Sequence, residues 1–260
     1  MPLHWVPNLN NERIHKKRTV STNEDIRLLA IKGADEGTVV TADEQTGGKG
    51  RRGRSWQTEP ETALLFSLLL RPHMTTDEAP QLTLLMAMAV TKAVYQITGL
   101  EAGIKWPNDV VVHSKKICGI LTEMQLKERD IDFVVIGTGV NVNQTRIPEE
   151  LRQSATSLWL ERAEEEKISR EELLDAILDC FADYYAVFCK TKDMSLLRTE
   201  YNDRLVSLDK EVRVLDPQGE FTGISKGINE KGELLVALLD GEERAVYAGE
   251  VSVRGLYGYV

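Results

Sequence analysis

The sequence predicts an α+β fold, in which a mixed sheet with packed helices is followed by a small β-barrel. Up to about residue 206, strand-like apolar runs alternate with segments that carry apolar residues at helical spacing. Beyond Leu208, short strand-like runs are separated by turn signals at regular spacing. We therefore predict one domain over residues 1–206 and a small β-barrel domain over residues 207–260.

Four helices are predicted from capping signals and apolar spacing. Ser21-Thr22-Asn23 offers capping side chains ahead of two acidic residues, so a helix begins there and ends near Gly33. Residues 80–99 carry Leu, Met and Val at the spacing of a core helix. Residues 171–190 are rich in Leu, Phe and Tyr on one side, and residues 194–205 are expected to form a further helix.

Strands are expected where apolar or β-branched residues run together between these helices. In the first domain they cover residues 38–42, 62–71, 109–113, 116–125 and 131–137. In the second they cover residues 211–215, 221–228, 234–239 and 245–247, with turns at 216–219, 229–232 and 240–241. The basic run His15-Lys16-Lys17-Arg18 is predicted to be a solvated turn before a strand.

The composition is that of a globular chain with an acidic surplus. The net charge of −9 gives a whole-protein field that repels polyanions, so we predict no nucleic-acid partner. The cysteines Cys118, Cys180 and Cys189 are widely spaced without a C-x-x-C pair, which argues against a disulfide framework or a zinc site. The chain begins without a signal-like apolar segment and has no run long enough to span a bilayer. We predict a cytoplasmic protein with no membrane partner.

Residues 47–56, GGKGRRGRSW, form the segment richest in chemical information. Four of the ten residues are glycine and four are cationic. Glycine allows close backbone approach to a ligand, and arginine provides a planar fork for phosphate or carboxylate. A solvated turn or a nucleic-acid contact would also suit this composition. On an acidic chain, a loop that closes over a small phosphate-bearing ligand is favoured.

Four further segments carry polar groups that a plain core would not need. Ser21-Thr22-Asn23 offers three neutral hydrogen-bonding groups beyond its capping role, and Lys105-Trp106-Pro107-Asn108-Asp109 places a cation, an aromatic ring, an amide and a carboxylate together. Lys116 precedes an apolar strand and needs an anionic partner there. The stretch 137–143, GTGVNVN, ends a strand with glycines and two amides.

Together and in this order, these segments resemble the biotin protein ligases, also called biotin–acetyl-CoA-carboxylase ligases. The resemblance runs from Ser21 to Arg254, and the basic loop with K-W-P-N-D is its most specific part. It implies a mixed sheet like that of class II synthetases and biotin ligases, followed by an SH3-like barrel. Some family members carry an N-terminal DNA-binding domain. Because twenty residues precede Ser21, we expect the monofunctional form.

The resemblance implies an AMP-forming ligase reaction. Biotin and ATP give biotinoyl-5′-AMP and pyrophosphate with Mg²⁺, and the biotinoyl group then passes to one lysine of a biotin carboxyl carrier domain. Both steps rest on positioning and electrostatic stabilisation rather than on a protein nucleophile. The basic loop is expected to be disordered without ligand and ordered over the adenylate, shielding it from water. The resemblance leaves both a monomer and a homodimer open.

Residue by residue, the resemblance implies the following roles in this chain. Biotin contacts fall on Ser21, Thr22, Asn23, Gln45, Lys49, Gly50, Arg51 and Lys116. ATP or adenylate contacts fall on Arg54, Trp56, Asn108, Asn141 and Arg254. Lys116, Arg51 and Arg54 are the expected catalytic residues, and Asp109 is the candidate Mg²⁺ ligand. The commoner family loop has arginine where this chain has Lys49, so a bidentate contact there becomes a point charge.

Two alternative functions also fit parts of the sequence. A lipoate or octanoate protein ligase or transferase on the same fold has related chemistry, but its fatty-chain pocket needs fewer polar groups than Ser21-Thr22-Asn23 and Gln45 supply. A nonenzymatic nucleotide- or RNA-binding module would show RNA affinity with a steep salt dependence.

Overall fold

The computed structural model describes residues 12–162, 166–216, 219–248 and 252–255. These residues form two β-sheets and five α-helices. None of the helices in these four ranges is both long and apolar enough to cross a membrane.

The larger sheet is mixed, as the sequence predicts. Its strands are β1 (Arg13–Thr19), β2 (Val39–Gln45), β3 (Ala63–Leu70), β4 (Gly103–Lys105), β5 (Asp109–Val112), β6 (Lys115–Lys127) and β7 (Asp130–Asn141). Their order across the sheet is β1-β2-β3-β7-β6-β5-β4. β1 is parallel to β2, and the other neighbouring pairs are antiparallel.

Helices cover both faces of this sheet. They are α1 (Thr22–Ile31), α2 (Gln81–Thr98), α3 (Leu158–Glu161), α4 (Arg170–Thr191) and α5 (Arg198–Asp203). On one face, Ile26 of α1 packs with Val40, Leu69 and Phe133. The other face joins the large core that α2 and α4 complete, to which β3 contributes Phe66. Successive residues of β3 point to opposite faces of the sheet. Because both faces are covered by helices, every residue of β3 is buried.

The smaller sheet is antiparallel and shares its core with the larger body. Its strands are β8 (Glu211–Leu215), β9 (Phe221–Ile228), β10 (Leu234–Ala237), β11 (Glu243–Val246) and β12 (Ser252–Gly255), in the order β11-β10-β9-β8-β12. Val212, Val214 and Leu234 belong to the same apolar cluster as α2 and α4. Closure into a barrel and the boundary at residue 206 stay predictions. The predicted turn at 216–219 lies partly outside the described residues.

The basic run at residues 15–18 was predicted wrongly as a turn. It lies inside β1, at the edge of the sheet, where Lys16 pairs with Asp25 at 2.7 Å and Arg18 with Glu44 at 3.3 Å. An edge strand has one side open to solvent and therefore tolerates charged residues. These charges replace the apolar alternation from which a strand would be predicted.

Other differences concern short elements. β4, β12 and α3 were not predicted, because three or four residues are too few to show a period. The helix predicted over 194–205 begins only at Arg198. Ahead of it, Ser195 N–H donates to Asp193 Oδ1, and Met194 N–H donates to Glu230 O in the smaller sheet's β9–β10 turn. These bonds hold a turn that competes with the helix.

Candidate active site

The predicted polar segments meet in one cavity of about 140 Å³ beside the larger sheet. The N-terminus of α1, the end of β2 and the basic loop form one side of it. The 105–109 segment and the facing strands β6 and β7 form the other, and Ser252 and Val253 of β12 reach its rim. The cavity therefore collects residues from both ends of the chain.

Glycines on β6 and β7 leave the sheet surface bare at this point. Gly119 and Gly139 are directly paired across the two strands, and the indole ring of Trp56 lies on them. A Cβ at Gly139 would stand 2.6 Å from Trp56 Cε2, and one at Gly137 would stand 2.0 Å from Asn23 Oδ1. Glycine at these positions makes room for Trp56 and Asn23. β7 continues past residue 137, where the sequence predicted its end, because residues 138–140 pair with both β3 and β6.

One end of the cavity is built from neutral hydrogen-bonding groups. Thr22 donates its Oγ1 hydrogen to Gln45 Oε1 at 3.0 Å, and Thr22 N–H donates to the same oxygen at 2.7 Å. Asn23 donates Nδ2–H to Glu123 Oε2 at 2.7 Å, which fixes the orientation of its amide. Ser67 Oγ lies 2.6 Å from Asn23 Oδ1 and 2.7 Å from Thr22 Oγ1. Ser67 is fully buried, so it holds both side chains from behind.

The opposite end is cationic. Lys116 Nζ donates to Asp109 Oδ1 at 2.5 Å and stands 5.4 Å from the centre of the Trp56 ring. Lys105 also lines the cavity, and burial lowers its pKa to about 8. The Asp109 carboxylate opposes that shift, whereas the positive charges of Lys116 and Arg254 add to it. The two lysines therefore face one carboxylate, which leaves a surplus of positive charge for an anionic ligand.

The basic loop is held over this cationic end. Arg51 donates Nη1–H to Asn108 Oδ1 at 3.1 Å and Nη2–H to the carbonyl oxygen of Ala248 in the segment after β11. Burial lowers the pKa of the Arg51 guanidinium. Lys49 extends away from this end and pairs with Glu24 Oε1 at 2.7 Å. Arg51 thus connects the loop to the smaller sheet's side of the cavity.

Most of the residues predicted for the site line this one cavity. They are Ser21, Thr22, Asn23, Gln45, Lys49, Gly50, Arg51, Arg54, Trp56, Asn108, Asp109 and Lys116. Asn141 and Arg254 are not among its lining residues. Asn141 donates to Thr156 O at 2.9 Å and accepts from Gln144, so its amide supports the fold here. Arg254 is exposed on β12, close enough to Lys105 to lower its pKa.

Three positions were not assigned to the site from the sequence. Ser67 is the lone polar residue of an otherwise apolar strand, and that interruption is the signal that could have found it. Glu123 gave no signal, because a carboxylate on a strand is usually solvated. Lys105 belongs to the K-W-P-N-D segment, whose sequence gives it no specific role, and the structure places it in the cavity wall.

The cavity offers few protein ligands for Mg²⁺, so it fits a Mg²⁺ ion that is bound mainly through phosphate oxygens. Asp109 is the only acidic residue among the described residues that line the cavity. Nowhere in the described ranges do three His, Cys, Asp or Glu side chains cluster as metal ligands. Mg²⁺ commonly binds through one or two carboxylates with phosphate oxygens and water, so one carboxylate is compatible with it.

Comparisons with known proteins agree with this arrangement. The Biotin/lipoate A/B protein ligase family matches residues 13–141, and the Biotin protein ligase C terminal domain matches residues 207–254. The bifunctional ligase/repressor BirA of Bacillus subtilis (strain 168) is 37% identical over 235 residues, covering 90% of this chain and 71% of its own length. The biotin–[acetyl-CoA-carboxylase] ligase of Mycobacterium tuberculosis is 33% identical over 242 residues, covering 90% and 86%.

A solved structure extends the similarity to the fold. The biotin protein ligase from Aquifex aeolicus, in complex with biotin and ATP, has a TM-score of 0.82 and 32% sequence identity. The match covers 94% of this chain and 99% of that one. With relatives above 30% identity matched over most of their length, this chain belongs to the biotin protein ligase family.

Proposed function

We propose that this chain activates biotin with ATP and transfers it to a lysine of a biotin carboxyl carrier domain. The observation that carries the proposal is the polarity of the cavity. Neutral donors and acceptors around Thr22, Asn23 and Gln45 stand at one end, and Lys116, Lys105 and Arg51 stand at the other. Biotin has the same polarity, with a neutral ureido ring at one end and a carboxylate at the other.

In the first step, a biotin carboxylate oxygen attacks the α-phosphorus of ATP. A new P–O bond forms to the acyl oxygen, the bond to the bridging oxygen breaks, and pyrophosphate leaves with the electron pair. Lys116 and Arg51 hold the carboxylate beside the phosphate and offset the negative charge that both bring. Arg54 and Lys105 supply further positive charge along the nucleotide. No protein group has to form a covalent bond.

In the second step, the ε-amine of the acceptor lysine attacks the acyl carbon of biotinoyl-AMP. The C–N bond forms, the C–O bond to the phosphate breaks, and AMP leaves with the electron pair while the amine loses a proton. AMP is a good leaving group, so positioning and charge stabilisation account for catalysis.

Further assignments belong to the same proposal. Asp109 would hold Mg²⁺ together with phosphate oxygens, and the metal would neutralise charge on the leaving pyrophosphate. Trp56 would form an aromatic wall beside the adenine. Asn141 and Arg254 would reach the nucleotide only after local movement, because Asn141 is engaged by Thr156 and Arg254 is exposed. The smaller sheet, proposed to be an SH3-like barrel, would complete the rim through Ser252 and Val253.

The test mixes purified protein with biotin, Mg·ATP and a biotin carboxyl carrier domain, and intact mass measures lysine-linked biotin. We expect one biotinoyl group per carrier, and none on a carrier whose acceptor lysine is replaced by arginine. Absence of the product, while an authentic ligase modifies the same carrier in parallel, would refute the proposal. Modification with lipoate or octanoate in place of biotin would instead support the related acyl ligases.

A further inference from the structure

A second cavity lies against the first at the cationic end. Its volume is about 190 Å³, and it shares Arg51, Pro107, Asn108, Ile120 and Leu121 with the first cavity. The Arg51–Asn108 hydrogen bond, at 3.1 Å, belongs to this shared wall. Asn108 is itself held by its bond to Ile120 O at 3.0 Å. The long side chain of Arg51 is therefore one of the residues that form the boundary between the two cavities.

The two cavities differ sharply in charge. The first is lined by six cations: Lys49, Arg51, Arg52, Arg54, Lys105 and Lys116. Among described residues, the second has no acid, and its one cation is the shared Arg51. The lining charge therefore favours the first cavity over the second for a triphosphate or pyrophosphate.

The walls that belong to the second cavity alone are apolar or neutral. Thr83 of α2 donates to Thr122 of β6 at 2.8 Å, so the hydroxyls of these two lining residues already have a partner in each other. Met124 and Tyr247 also line this cavity, and they are 40% and 52% exposed. The cavity is thus an apolar passage that is reached from solvent on one side and meets the cationic end on the other.

We propose that this second cavity admits the acceptor lysine of the carrier domain. This inference rests on the proposed function and adds the route by which the second substrate arrives. Four methylene groups need an apolar sleeve, which the neutral walls provide. A passage without acids does not trap the incoming amine as a salt-bridged ammonium. The amine would meet the acyl carbon at the shared wall, since the proposed function puts the carboxylate end of biotin beside Arg51 and Lys116.

At the shared wall, the bonds that form and break are those of the second step. Rotation of Arg51 away from Asn108, toward the phosphate, would open the boundary for the amine. The C–N bond then forms from the side of the second cavity, while AMP departs into the first with the electron pair. The amine's proton leaves toward solvent.

The test narrows the passage at two lining positions, using Met124→Trp and Thr83→Leu in the full chain. Adenylate formation is measured as biotin-dependent ATP–pyrophosphate exchange without carrier. Transfer is measured to the carrier domain and to Nα-acetyl-lysine methyl ester, which presents the lysine arm without a protein surface. Hydroxylamine, which has no alkyl arm, measures aminolysis of the bound adenylate. Leu28→Trp, at an exposed position on α1, is the matched control.

We expect exchange and hydroxylamine aminolysis within about twofold of the parent, and transfer to the lysine ester and to the carrier at least about tenfold slower in both variants. The control should change none of these rates. Unchanged transfer to the lysine ester in both folded variants would overturn the proposal, and so would a parallel loss of exchange. A parent protein without any exchange would instead refute the proposed function.

Discussion

At the scale of single residues, the candidate site depends on side chains that do not face the ligand space themselves. Ser67 is fully buried and holds Thr22 and Asn23, while Glu123 fixes the Asn23 amide from the other side. A buried polar group is costly unless it is bonded, so these contacts specify one arrangement of the neutral end. In the proposed function, this neutral end would form hydrogen bonds with the ureido ring of biotin.

Replacing Ser67 with alanine should weaken biotin binding with little loss of fold. The change leaves Asn23 Oδ1 without this partner, and loss of one such bond costs ~1 kcal/mol, which corresponds to a roughly fivefold higher Kd. Titration calorimetry with biotin measures it. Thr91→Val removes another buried hydroxyl, bonded to Met88 O, and should leave the Kd unchanged. An unaltered Kd in Ser67→Ala would contradict the positioning role.

Lys105 should make ATP binding sensitive to mildly alkaline pH. Its ammonium is charged below its pKa, and because burial lowers that pKa to about 8, the charge is lost as the pH rises through this value. We expect the KM for ATP to rise between about pH 7 and about pH 9, where an ordinary lysine stays charged. Lys105→Arg should flatten the profile, because arginine keeps its charge. A wild-type KM that does not change with pH would count against the contact.

At the scale of elements, ordering of the basic loop by ligand stays a prediction. It has a defined conformation, with Lys49 bridged to Ser55 and Arg52 in the left-handed region at φ 58°. Arg51 connects it to Ala248 and Asn108. Trp56 anchors one end of the loop on Gly119 and Gly139, but residues 52–55 are exposed, which is typical of a segment that opens locally at low cost.

Trypsin should therefore cut this loop, and ligands should protect it. Biotin with Mg·ATP is expected to slow cleavage after Lys49, Arg51, Arg52 and Arg54, because the adenylate supplies the anion that holds the loop closed. Cleavage after Arg129, in the exposed turn between β6 and β7, serves as the internal control and should keep its rate. Mass spectrometry of timed digests measures both. Equal cleavage of the loop with and without ligands would rule out ordering by ligand.

At the scale of the whole molecule, the smaller sheet is fixed directly to the site-bearing segment. Trp106, only 2% exposed, donates its Nε1–H to Gly232 O at 3.0 Å. Ile228 N–H donates to Asn202 Oδ1 at 2.9 Å, and Ile104 forms a bridge with Leu205. The tryptophan of the K-W-P-N-D segment is therefore an anchor between the two sheets and also lines the cavity beside Lys105 and Asn108.

Removing this anchor should affect stability and nucleotide binding together. Trp106→Phe loses the hydrogen bond and leaves Gly232 O without this donor, so the free energy of unfolding should fall by about 1–3 kcal/mol. The KM for ATP should rise, because Ser252 and Val253 reach the cavity from the same sheet. Urea unfolding and steady-state kinetics measure the two effects. Trp159→Phe, at a partly exposed position, is the control, and equal stability loss there would argue against a specific anchor.

The sequence by itself determined the mixed α+β body, the main helices and the residue types that meet in the cavity. Helix α2 and strand β3 follow from apolar spacing, and the basic loop follows from its glycines and cations, because these signals are local in the chain. The family could be recognised for the same reason, since its motifs are short and contiguous.

Only the tertiary structure decided which of these residues touch. Ser67 and Glu123 reach Asn23 across 44 and 100 residues of chain, and Trp56 lies on Gly119 and Gly139 because β6 and β7 pair in one particular register. Periodicity reports which face of an element is buried but not which distant element packs on it, and strand register fixes that choice. The second cavity, the anchoring role of Trp106 and the neutral-to-cationic polarity of the site all depend on those long-range contacts.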